Sequence, residues 1–574
     1  MSASCSSAGC DLTAKIMQLH RLLQAALLLS ISSVRAELAQ AEHGMVASVH
    51  TLATEAGVNA LKNGGNAIDA AVAVALTLGV VDGHNSGIGG GCFMLIHLAN
   101  GKVVALDGRE MAPATATRDM FVRNGKGDTN LSQTGSLASG VPGALAVYAQ
   151  AVEKYGRKPL AALLLPAAQI AEDGFPIDFV YARKLTATAD KLRQFESPKA
   201  IFFKTDGSVL AKGEVLKQAD LAKSYRAIAK DGADWFYKGE YAKAVAAWMK
   251  ANGGMLTEAD FSGYTVKQRE PFSTTYRGFE VIGLPPPSSG GVHVAEILNI
   301  LENFDLKGAT APGARHHLMA EAMKLAFADR AYWLGDPDFV NVPRGLVDKG
   351  YAKGLAARIN PDHTTPVPSH GLPPDAETKL FEKHTTHFST VDAEGNWVAC
   401  TATVNTAFGS KVIVPGTGIF LNDEMDDFSI EPGVPNAFKL VGAEANAVAP
   451  KKRPLSSMSP TLVLKDGKPI LALGAAGGPT IISQTVLNLI AVLDLGQPLD
   501  EALGQPRIHQ QWQPDQVRIE KAMPADIREA LKQHGHEFFE ENTFGASQAV
   551  GLAPDGKGFI GASDPRTSGK AAGF

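Results

Sequence analysis

A threonine at the start of a predicted strand, Thr385, lies where its hydroxyl could act as a nucleophile. Residues 385–405 alternate between polar and apolar side chains, which predicts a β-hairpin with its turn at 393–396. If Asp392 pairs with Trp397, Thr385 lies opposite Val404 and is flanked by Thr403 and Asn405. The pattern therefore gathers three polar side chains at the open end of the hairpin.

The chemistry available to Thr385 is self-cleavage followed by catalysis. Its hydroxyl could attack the His384 carbonyl, and hydrolysis of the resulting ester would free Thr385 as a new N-terminus. The freed α-amino group, with a reference pKa of about 7.7–8.0, could then serve as the base that activates the hydroxyl. Alone, the pattern also fits the polar start of a surface strand, because threonine is common in strands.

The elements that would position Thr385 are helices before it and strands after it. Residues 360–384 are rich in proline, glycine and charge and have no periodicity, which predicts a loop or linker. Periodic runs before the linker predict helices over five segments, which are 54–64, 66–81, 143–156, 159–174 and 314–335. This organisation predicts one layered α/β body with an internal processing point.

A glycine-rich stretch at 84–98 superficially resembles a phosphate-binding loop. It precedes an apolar strand-like run, whereas a phosphate loop follows a strand and opens a helix. We interpret it as a turn that leads into a buried strand.

The composition excludes nucleic acid as a partner. The chain has 574 residues and a net charge of −5, which gives no basic surface for a polyanion. The three basic residues at 451–453 are too few to change this and are expected in a solvated loop.

The N-terminus, residues 1–41, is predicted to be a signal peptide. Its apolar stretch at 22–34 is too short to span a bilayer and follows basic residues. Cleavage is expected after Ala36 or Ala41, with the second site preferred, and an uncleaved amphipathic anchor is the alternative. The protein is therefore expected to be periplasmic or secreted, without a stable membrane span after processing.

No cofactor and no metal is predicted. The chain has no CxxC or HExxH motif, and the adjacent His316 and His317 point to different helix faces. Cys92 and Cys400 lie in apolar surroundings typical of buried free thiols. A disulfide between the two is the alternative.

Several long motifs resemble one known family over essentially the whole mature chain. In order they are GIGGGCFML (87–95), DGREMAPATATRDMF (107–121), LPPPSSGGVH (284–293), TTHFSTVDAEGNWVACTATVNTAFGS (385–410), LNDEMDDFS (421–429), KRPLSSMSPT (452–461), GAAGGPT (474–480) and ASDPR (562–566). The chain resembles the γ-glutamyltranspeptidases (glutathione hydrolase proenzymes). The resemblance implies the α/β (α+β) four-layer αββα sandwich of N-terminal nucleophile hydrolases.

The resemblance also implies the catalytic residues. Thr385 matches the family's autocatalytic nucleophile, so residues 42–384 would form a large subunit and 385–574 a small catalytic subunit. Thr403 matches a threonine whose hydroxyl assists the nucleophile. Gly477 and Gly478 match the oxyanion hole, where glycine lets the backbone approach the reacting carbonyl.

The implied substrate site matches the charges of a γ-glutamyl group. Arg109, with Ser456 and Ser457, would bind the α-carboxylate. Glu424 and Asp427 would accept hydrogen bonds from the α-ammonium, and Asn405 would also contact the substrate. These ten residues, Thr385 included, are the predicted site. The family also has a lid at 428–442, where many bacterial members carry tyrosine and this chain has Phe438.

The function implied is autoprocessing followed by cleavage of γ-glutamyl amides such as glutathione. The glutamyl group would pass through a Thr385 ester to water, an amino acid or a dipeptide. One alternative is a glutaryl (cephalosporin-type) acylase, which would not need the ammonium-binding acids. Another is a non-catalytic periplasmic binding protein, which would not be processed into two fragments.

Overall fold

The computed structural model describes residues 36–340, 342–374, 386–431 and 434–574. The helices of the first half are α1 Thr51–Lys62, α2 Ala67–Val81, α3 Thr129–Gln133, α4 Ala144–Tyr155, α5 Leu160–Asp173, α6 Phe179–Leu192, α7 Glu196–Phe202, α8 Ala219–Asp231, α9 Asp234–Tyr237, α10 Glu240–Ala251 and α11 Glu258–Ser262. The later ones are α12 Gly290–Leu301, α13 Ala314–Trp333, α14 Lys349–Ala356, α15 Thr480–Leu489, α16 Leu499–Gly504 and α17 Ala525–Gln533.

Strands occur on both sides of the predicted processing point. Before it lie β1 Leu38–Ala41, β2 Gly44–Ser48, β3 Gly91–His97, β4 Val103–Gly108, β5 Val122–Arg123, β6 Lys126–Gly127, β7 Phe175–Pro176, β8 Val215–Leu216, β9 Lys267–Arg269, β10 Phe272–Tyr276 and β11 Phe279–Gly283. After it lie β12 Thr386–Asp392, β13 Trp397–Thr403, β14 Thr461–Lys465, β15 Lys468–Ala476, β16 Ile508–His509, β17 Val517–Glu520, β18 Phe538–Glu541, β19 Ala546–Leu552, β20 Phe559–Ser563 and β21 Lys570–Gly573.

Two seven-stranded antiparallel sheets form the centre of the fold. One has the order β1-β20-β19-β15-β14-β11-β10 and the other β21-β2-β12-β13-β3-β4-β9. Their facing surfaces enclose an apolar core that includes Phe93, Trp397 and Leu462. Both sheets therefore contain strands from before and after residue 384.

Helices cover the outer face of each sheet. Helix α2 is buried along its whole length between the β2-containing sheet and other helices, as its almost wholly apolar sequence predicts. Helices α12, α13 and α15 pack on the other sheet. The four-layer αββα prediction is confirmed.

The local predictions for the first half are also confirmed. Asn66 caps α2, because its side-chain oxygen accepts hydrogen bonds from the N–H groups of Ile68 and Asp69. The glycine-rich turn leads into the buried strand β3. A Cβ at Gly90 would lie 1.8 Å from the Thr403 carbonyl oxygen, so glycine is required where this turn meets the end of β13.

The predicted hairpin is present, but its register is one residue away from the prediction. The turn lies at 393–396 as predicted. However, Trp397 pairs with Val391 instead of Asp392, and the described ladder ends with Thr386 opposite Ala402. The loop is shorter than the predicted register requires, because the Asp392 carboxylate accepts hydrogen bonds from the Glu394 and Asn396 N–H groups inside the turn.

The prediction of a solvated loop at 451–453 fits Lys451, which is exposed, but is wrong for the two basic residues that follow it. Lys452 and Arg453 are buried. The Arg453 guanidinium forms a 2.5 Å ion pair with Asp107 and donates to the Thr265 carbonyl. The charge is compensated inside the fold, which the short sequence run could not indicate.

Both mature cysteines are buried free thiols in the structure. Burial, with each thiol near the other, raises the pKa of Cys92 well above its usual range. These thiols are therefore packing groups, as their apolar surroundings predicted. None of the described helices is long and apolar enough to cross a membrane.

Residues Leu38–Ala41 form the edge strand β1 and pair with β20. Cleavage after Ala41, the site preferred from sequence, would remove this strand. Cleavage after Ala36 would keep it. Residues 1–35, which carry the rest of the predicted signal peptide, lie outside the described residues.

Candidate active site

The predicted carboxylate clamp, Arg109, lies at the end of β4 and is completely buried. Its Nε donates to the Pro454 carbonyl at 2.8 Å, and one Nη2 hydrogen bond goes to the Leu455 carbonyl. Two backbone carbonyls next to Ser456 therefore hold the guanidinium against the segment that carries both predicted serines.

The guanidinium is surrounded by three carboxylates. Nη1 donates to Glu424 and, at 3.3 Å, to Glu110, while Nη2 lies 2.5 Å from Asp427. Glu424 and Asp427 come from one 3-10 turn, Glu424–Asp427, so a single short element presents both acids. The structure thus brings Arg109, Glu424 and Asp427 together, but as partners of one another.

This cluster has three carboxyl groups for one guanidinium. Burial raises the pKa of Glu110 to about 7 and that of Glu424 well above its usual range, against the opposing effect of Arg109. Among the described residues, Glu424 Oε2 and Asp427 Oδ1 are buried without a hydrogen-bond partner. Unsatisfied buried acceptors of this kind suit a cationic donor.

A turn after β13 brings Asn405 and Thr403 to the same region. The Thr403 hydroxyl oxygen accepts the Asn405 N–H at 2.7 Å, and Asn405 adopts a left-handed φ of 74°, a conformation that asparagine tolerates well. Its Nδ2 donates to the Asp423 carbonyl at 2.8 Å, while Oδ1 is buried and has no described partner. Asn405 therefore adds a third unsatisfied acceptor to the site.

Ser456 and Ser457 are both buried in the loop that precedes β14. The Ser456 hydroxyl accepts the Met458 N–H at 3.1 Å, and the Ser457 hydroxyl accepts from Arg330 Nη2 at 3.2 Å. Each hydroxyl oxygen accepts a hydrogen bond, so the O–H of each serine can still donate one. That arrangement suits donation to a carboxylate.

The glycine pair lies between β15 and α15. Gly477 and Gly478 have φ angles of 129° and 69°, and a Cβ on Gly477 would approach the Gly545 Cα to 2.8 Å. Within the described part of the chain, neither amide N–H donates a hydrogen bond. Two free N–H groups at the N-terminus of a helix can bind a developing oxyanion.

Thr385 itself lies outside the described residues, as does His384. Its neighbour Thr386 is buried at the start of β12, and its hydroxyl donates to Asp82 at 3.2 Å. Asp82, in turn, lies at the C-terminal end of α2. The loop after α2 also binds the second strand, because Val404 N–H donates to the Asn85 carbonyl. One loop thus holds the ends of both hairpin strands.

His387, two residues along β12, is not a candidate base. Its ring nitrogens lie 2.9 Å from the hydroxyls of Thr401 and Ser389. Burial lowers the pKa of His387 to about 3, so the ring is neutral at ordinary pH. It packs against Gly474 of the facing sheet and links the two sheets.

Two positioning residues had no role predicted from the sequence. Arg330 on α13 donates through Nε to Ser289 at 3.1 Å as well as to Ser457. Ser289 donates its hydroxyl to the Ser456 carbonyl at 2.8 Å. Ser289 lies in the quoted motif LPPPSSGGVH without an assigned role, and Arg330 is an ordinary basic residue in a helix until the fold places it.

One group of described side chains has metal-ligand geometry away from this site. Ligand atoms of His317, Glu321 and His536 lie within 4.8 Å of one another. However, the His317 and His536 rings are hydrogen-bonded at 2.7 Å, and Glu321 forms a 2.8 Å ion pair with Lys324. The Glu321 carboxylate also accepts from Thr364. The group is internally satisfied, so we assign it a structural role.

Comparison with known proteins agrees with this geometry. The family model Gamma-glutamyltranspeptidase matches residues 53–574. The glutathione hydrolase proenzyme of Escherichia coli (strain K12) is 47% identical over 533 residues, covering 92% of this chain and 91% of that protein. The crystal structure of cephalosporin acylase from Bacillus halodurans has a TM-score of 0.84 at 31% identity and covers 94% of this chain and 97% of that one. The Helicobacter pylori γ-glutamyltranspeptidase structure has a TM-score of 0.54 at 44% identity, covering 56% of this chain and 92% of that one.

Two stacked antiparallel sheets between helical layers, with the paired strands β12 and β13 in the interior of one sheet, define an N-terminal nucleophile hydrolase. Within that class, the chain belongs to the γ-glutamyltranspeptidase family and is an enzyme of that family.

Proposed function

We propose that this enzyme cleaves γ-glutamyl amides such as glutathione through a γ-glutamyl ester on Thr385. The observation that supports the proposal best is the buried cluster of Arg109, Glu424 and Asp427, which joins a fixed cation to acids with unsatisfied oxygens. An α-amino acid head group carries the complementary pair of charges at fixed separation. The cluster therefore suits a substrate that is a zwitterion at its α-carbon.

Binding would exchange the ion pairs already present. The substrate carboxylate would replace the acids as acceptor of the guanidinium hydrogen bonds. It would also accept hydrogen bonds from Ser456 and Ser457. The released oxygens of Glu424 and Asp427, with Asn405 Oδ1, would accept from the α-ammonium. Each buried charge keeps a partner throughout, which avoids the cost of an unpaired buried ion.

The reaction would follow from groups around the scissile carbonyl. The α-amine of a freed Thr385 would take the hydroxyl proton as the oxygen attacks the carbonyl carbon. The N–H groups of Gly477 and Gly478 would stabilise the tetrahedral oxyanion, an effect worth about 3–4 kcal/mol per donor in other acyl-transfer enzymes. Thr403 would donate a hydrogen bond to the Thr385 oxygen, and the amine proton would pass to the leaving nitrogen.

The same nucleophile would first cleave its own chain between His384 and Thr385. Residues up to 384 would form the large subunit and 385–574 the small one. Export would precede or accompany this step, with the signal peptide removed after Ala36 so that strand β1 is kept. The mature enzyme would be a periplasmic or secreted heterodimer, with amino acids or dipeptides as acceptors besides water.

The main competing function is glutaryl amide hydrolysis, which the similarity to a cephalosporin acylase keeps open. A glutaryl group lacks the α-ammonium, so it would leave the unsatisfied oxygens of Glu424 and Asp427 without a donor. We expect kcat/KM for γ-glutamyl-p-nitroanilide to exceed that for glutaryl-p-nitroanilide at least tenfold. The reverse preference would favour the acylase.

The decisive test combines maturation with activity. Wild-type protein should give two bands on a denaturing gel, and the smaller should begin with Thr385 on N-terminal sequencing. Thr385→Ala should stay full length and inactive, because both steps use one hydroxyl. Thr390→Ala, a buried threonine of β12, is the control and should mature. A Thr385→Ala protein that still matured would refute the assignment, and a single wild-type band would support a binding protein.

A further inference from the structure

A buried lysine, Lys411, lies close to the predicted substrate site and has no role in the proposed reaction. It is 3% exposed and follows the turn that carries Asn405. Its Nζ lies 3.3 Å from the carboxylate of Asp423, which is completely buried. Asp423 directly precedes Glu424 in the chain. The ion pair therefore connects the segments that carry two of the predicted ammonium-binding residues, Asn405 and Glu424.

The threonine that follows Asn405 links the two charges. Lys411 Nζ donates to the Thr406 hydroxyl oxygen at 2.6 Å, and that hydroxyl donates to Asp423 Oδ2. The Thr406 N–H donates to the other carboxylate oxygen, Oδ1, at 2.9 Å. Thr406 therefore joins the segment after β13 to Asp423 through both its hydroxyl and its backbone N–H. We refer to Lys411, Thr406 and Asp423 together as the brace.

The number of acceptors around Lys411 indicates that its side chain is charged. Nζ also donates to the Gly409 carbonyl and, at 3.1 Å, to the Gln133 carbonyl. With the Thr406 hydroxyl, these oxygens use three N–H hydrogens, which an ammonium has and a neutral amine lacks. Burial lowers the pKa of Lys411 and raises that of Asp423, and in each case the other member of the pair opposes the shift. Two opposite charges thus compensate each other inside the protein.

The backbone of Asp423 fixes the orientation of the Asn405 side-chain amide. Asn405 Nδ2 donates to the Asp423 carbonyl at 2.8 Å. Because a carbonyl can only accept, the amide nitrogen must face it and Oδ1 must face away from it. Oδ1 is buried and has no described partner. The side chain is therefore held with its acceptor free, as an α-ammonium requires.

The same backbone unit also holds the turn that carries the two acids. The Asp423 carbonyl accepts the Asp426 N–H at 3.2 Å, and the Asp423 N–H donates to the Val404 carbonyl at 3.2 Å. Val404 directly follows β13, so the turn is tied to the end of that strand. Glu424 and Asp427, in this turn, each have one buried oxygen without a described partner. A shift of Asp423 would therefore displace all three predicted acceptors together.

We infer that the brace determines the preference of the enzyme for donors that carry an α-ammonium. It keeps Asn405 Oδ1 and the free oxygens of Glu424 and Asp427 in place as three acceptors, which matches the three N–H groups of one ammonium. The brace residues act through these acceptors and are therefore positioning residues. A glutaryl donor has no ammonium and would gain nothing from the arrangement. The inference rests on the proposed function, in which the three acceptors bind the α-ammonium.

The test compares two donors that differ only in the ammonium, γ-glutamyl-p-nitroanilide and glutaryl-p-nitroanilide. Thr406→Val removes the hydroxyl that joins the two charges, while the size and the net charge are kept. The ratio of kcat/KM for the γ-glutamyl donor to that for the glutaryl donor should fall about three- to tenfold, the effect of one hydrogen bond. The loss should lie in KM for the γ-glutamyl donor, because the brace acts on the head group and not on the scissile carbonyl. Thr406→Ser, which keeps the hydroxyl, should restore the wild-type ratio.

A second variant, Lys411→Met/Asp423→Asn, removes both charges together. It leaves no unpaired buried ion and should lower the same ratio. The matched control is Thr567→Val. Thr567 is also half-buried, and its hydroxyl also accepts and donates, but to Gly569 and Asp564 in its own loop. Its ratio should equal that of the wild type.

Processing into two fragments checks that each variant folds. An unchanged ratio in the matured variants, or equal losses for the two donors, would overturn the inference. Failure of both brace variants to mature would also count against it, because a brace that acts only on the donor site should not prevent cleavage. A wild-type enzyme without a preference for the γ-glutamyl donor would instead refute the proposed function.

Discussion

The residue that shapes the candidate site most is Arg109, because its partners determine the charge of the buried cluster. Burial alone would lower the pKa of Arg109, and the surrounding carboxylates raise it above its usual range. Lysine could not replace it, since an ammonium is a point charge and cannot bridge the Glu424–Asp427 turn and the Leu455 carbonyl through a planar fork.

We predict that Arg109→Lys raises the KM for γ-glutamyl-p-nitroanilide about ten- to a hundredfold, which corresponds to hydrogen bonds with charged groups worth about 1.5–3 kcal/mol. Steady-state kinetics on the matured protein measure this. The control is Arg118→Lys, because Arg118 pairs with Glu444 at the surface. Similar KM values for both variants would show that Arg109 does not bind the substrate.

Phe438 is the residue at which the lid departs from many bacterial relatives in the resemblance stated above. It is half-buried and, with Pro479, lines a cavity of about 310 Å³. Tyrosine would keep the ring and add a hydroxyl that could fasten the lid.

We predict that Phe438→Tyr changes the ratio of γ-glutamyl transfer to hydrolysis, with a lower share of hydrolysis because a fastened lid restricts water. Both rates are measured in parallel with glycylglycine. A ratio of transfer to hydrolysis identical to that of the wild type would contradict this prediction.

At the scale of elements, the loop after α2 holds the start of β12. Burial, reinforced by Asp178, raises the pKa of Asp82 to about 8, although hydrogen bonds from Thr386 and Asn85 oppose the shift. Its folded pKa thus lies above the unfolded value of 3.8. The folded state therefore loses stability relative to the unfolded state as pH rises from about 4 to about 8.

We predict that Asp82→Asn removes this loss. The variant should be similar in stability to the wild type at pH 4 and more stable by about 1–3 kcal/mol at pH 8. Urea unfolding at the two pH values measures the difference. The control is Asp206→Asn, on the surface. An Asp82→Asn effect that did not vary with pH would contradict the assignment.

At the scale of the whole molecule, the two proposed subunits share both sheets. Strand β12 lies between β2 and β13, and β14 lies between β11 and β15. Cleavage before β12 would therefore cut one peptide bond and leave the ladders between the fragments intact.

We predict that the fragments stay together after cleavage. They should elute as one species in gel filtration and unfold in one thermal transition, and they should separate only in denaturant. The uncleaved Thr385→Ala protein is the size standard. Fragments that separated under native conditions would contradict the interleaved topology.

Sequence alone determined the local features that depend on neighbouring residues. Caps, periodicity and turn chemistry located α2 and the hairpin turn, because these depend on interactions within a few residues. The long motifs then carried the family, and with it the αββα layering and the predicted roles of Arg109, Thr403 and the glycine pair. Periodicity by itself could not have indicated that layering.

Tertiary structure decided what depends on long-range contacts. The hairpin register shifted by one residue because side chains inside the turn bind its backbone. Arg453 can be buried because Asp107, far away in sequence, compensates its charge. Arg109 and the acids, separated by about three hundred residues, form one buried cluster only after β4 and the Glu424–Asp427 turn meet. Buried charges need partners, and only the fold determines which partners are near.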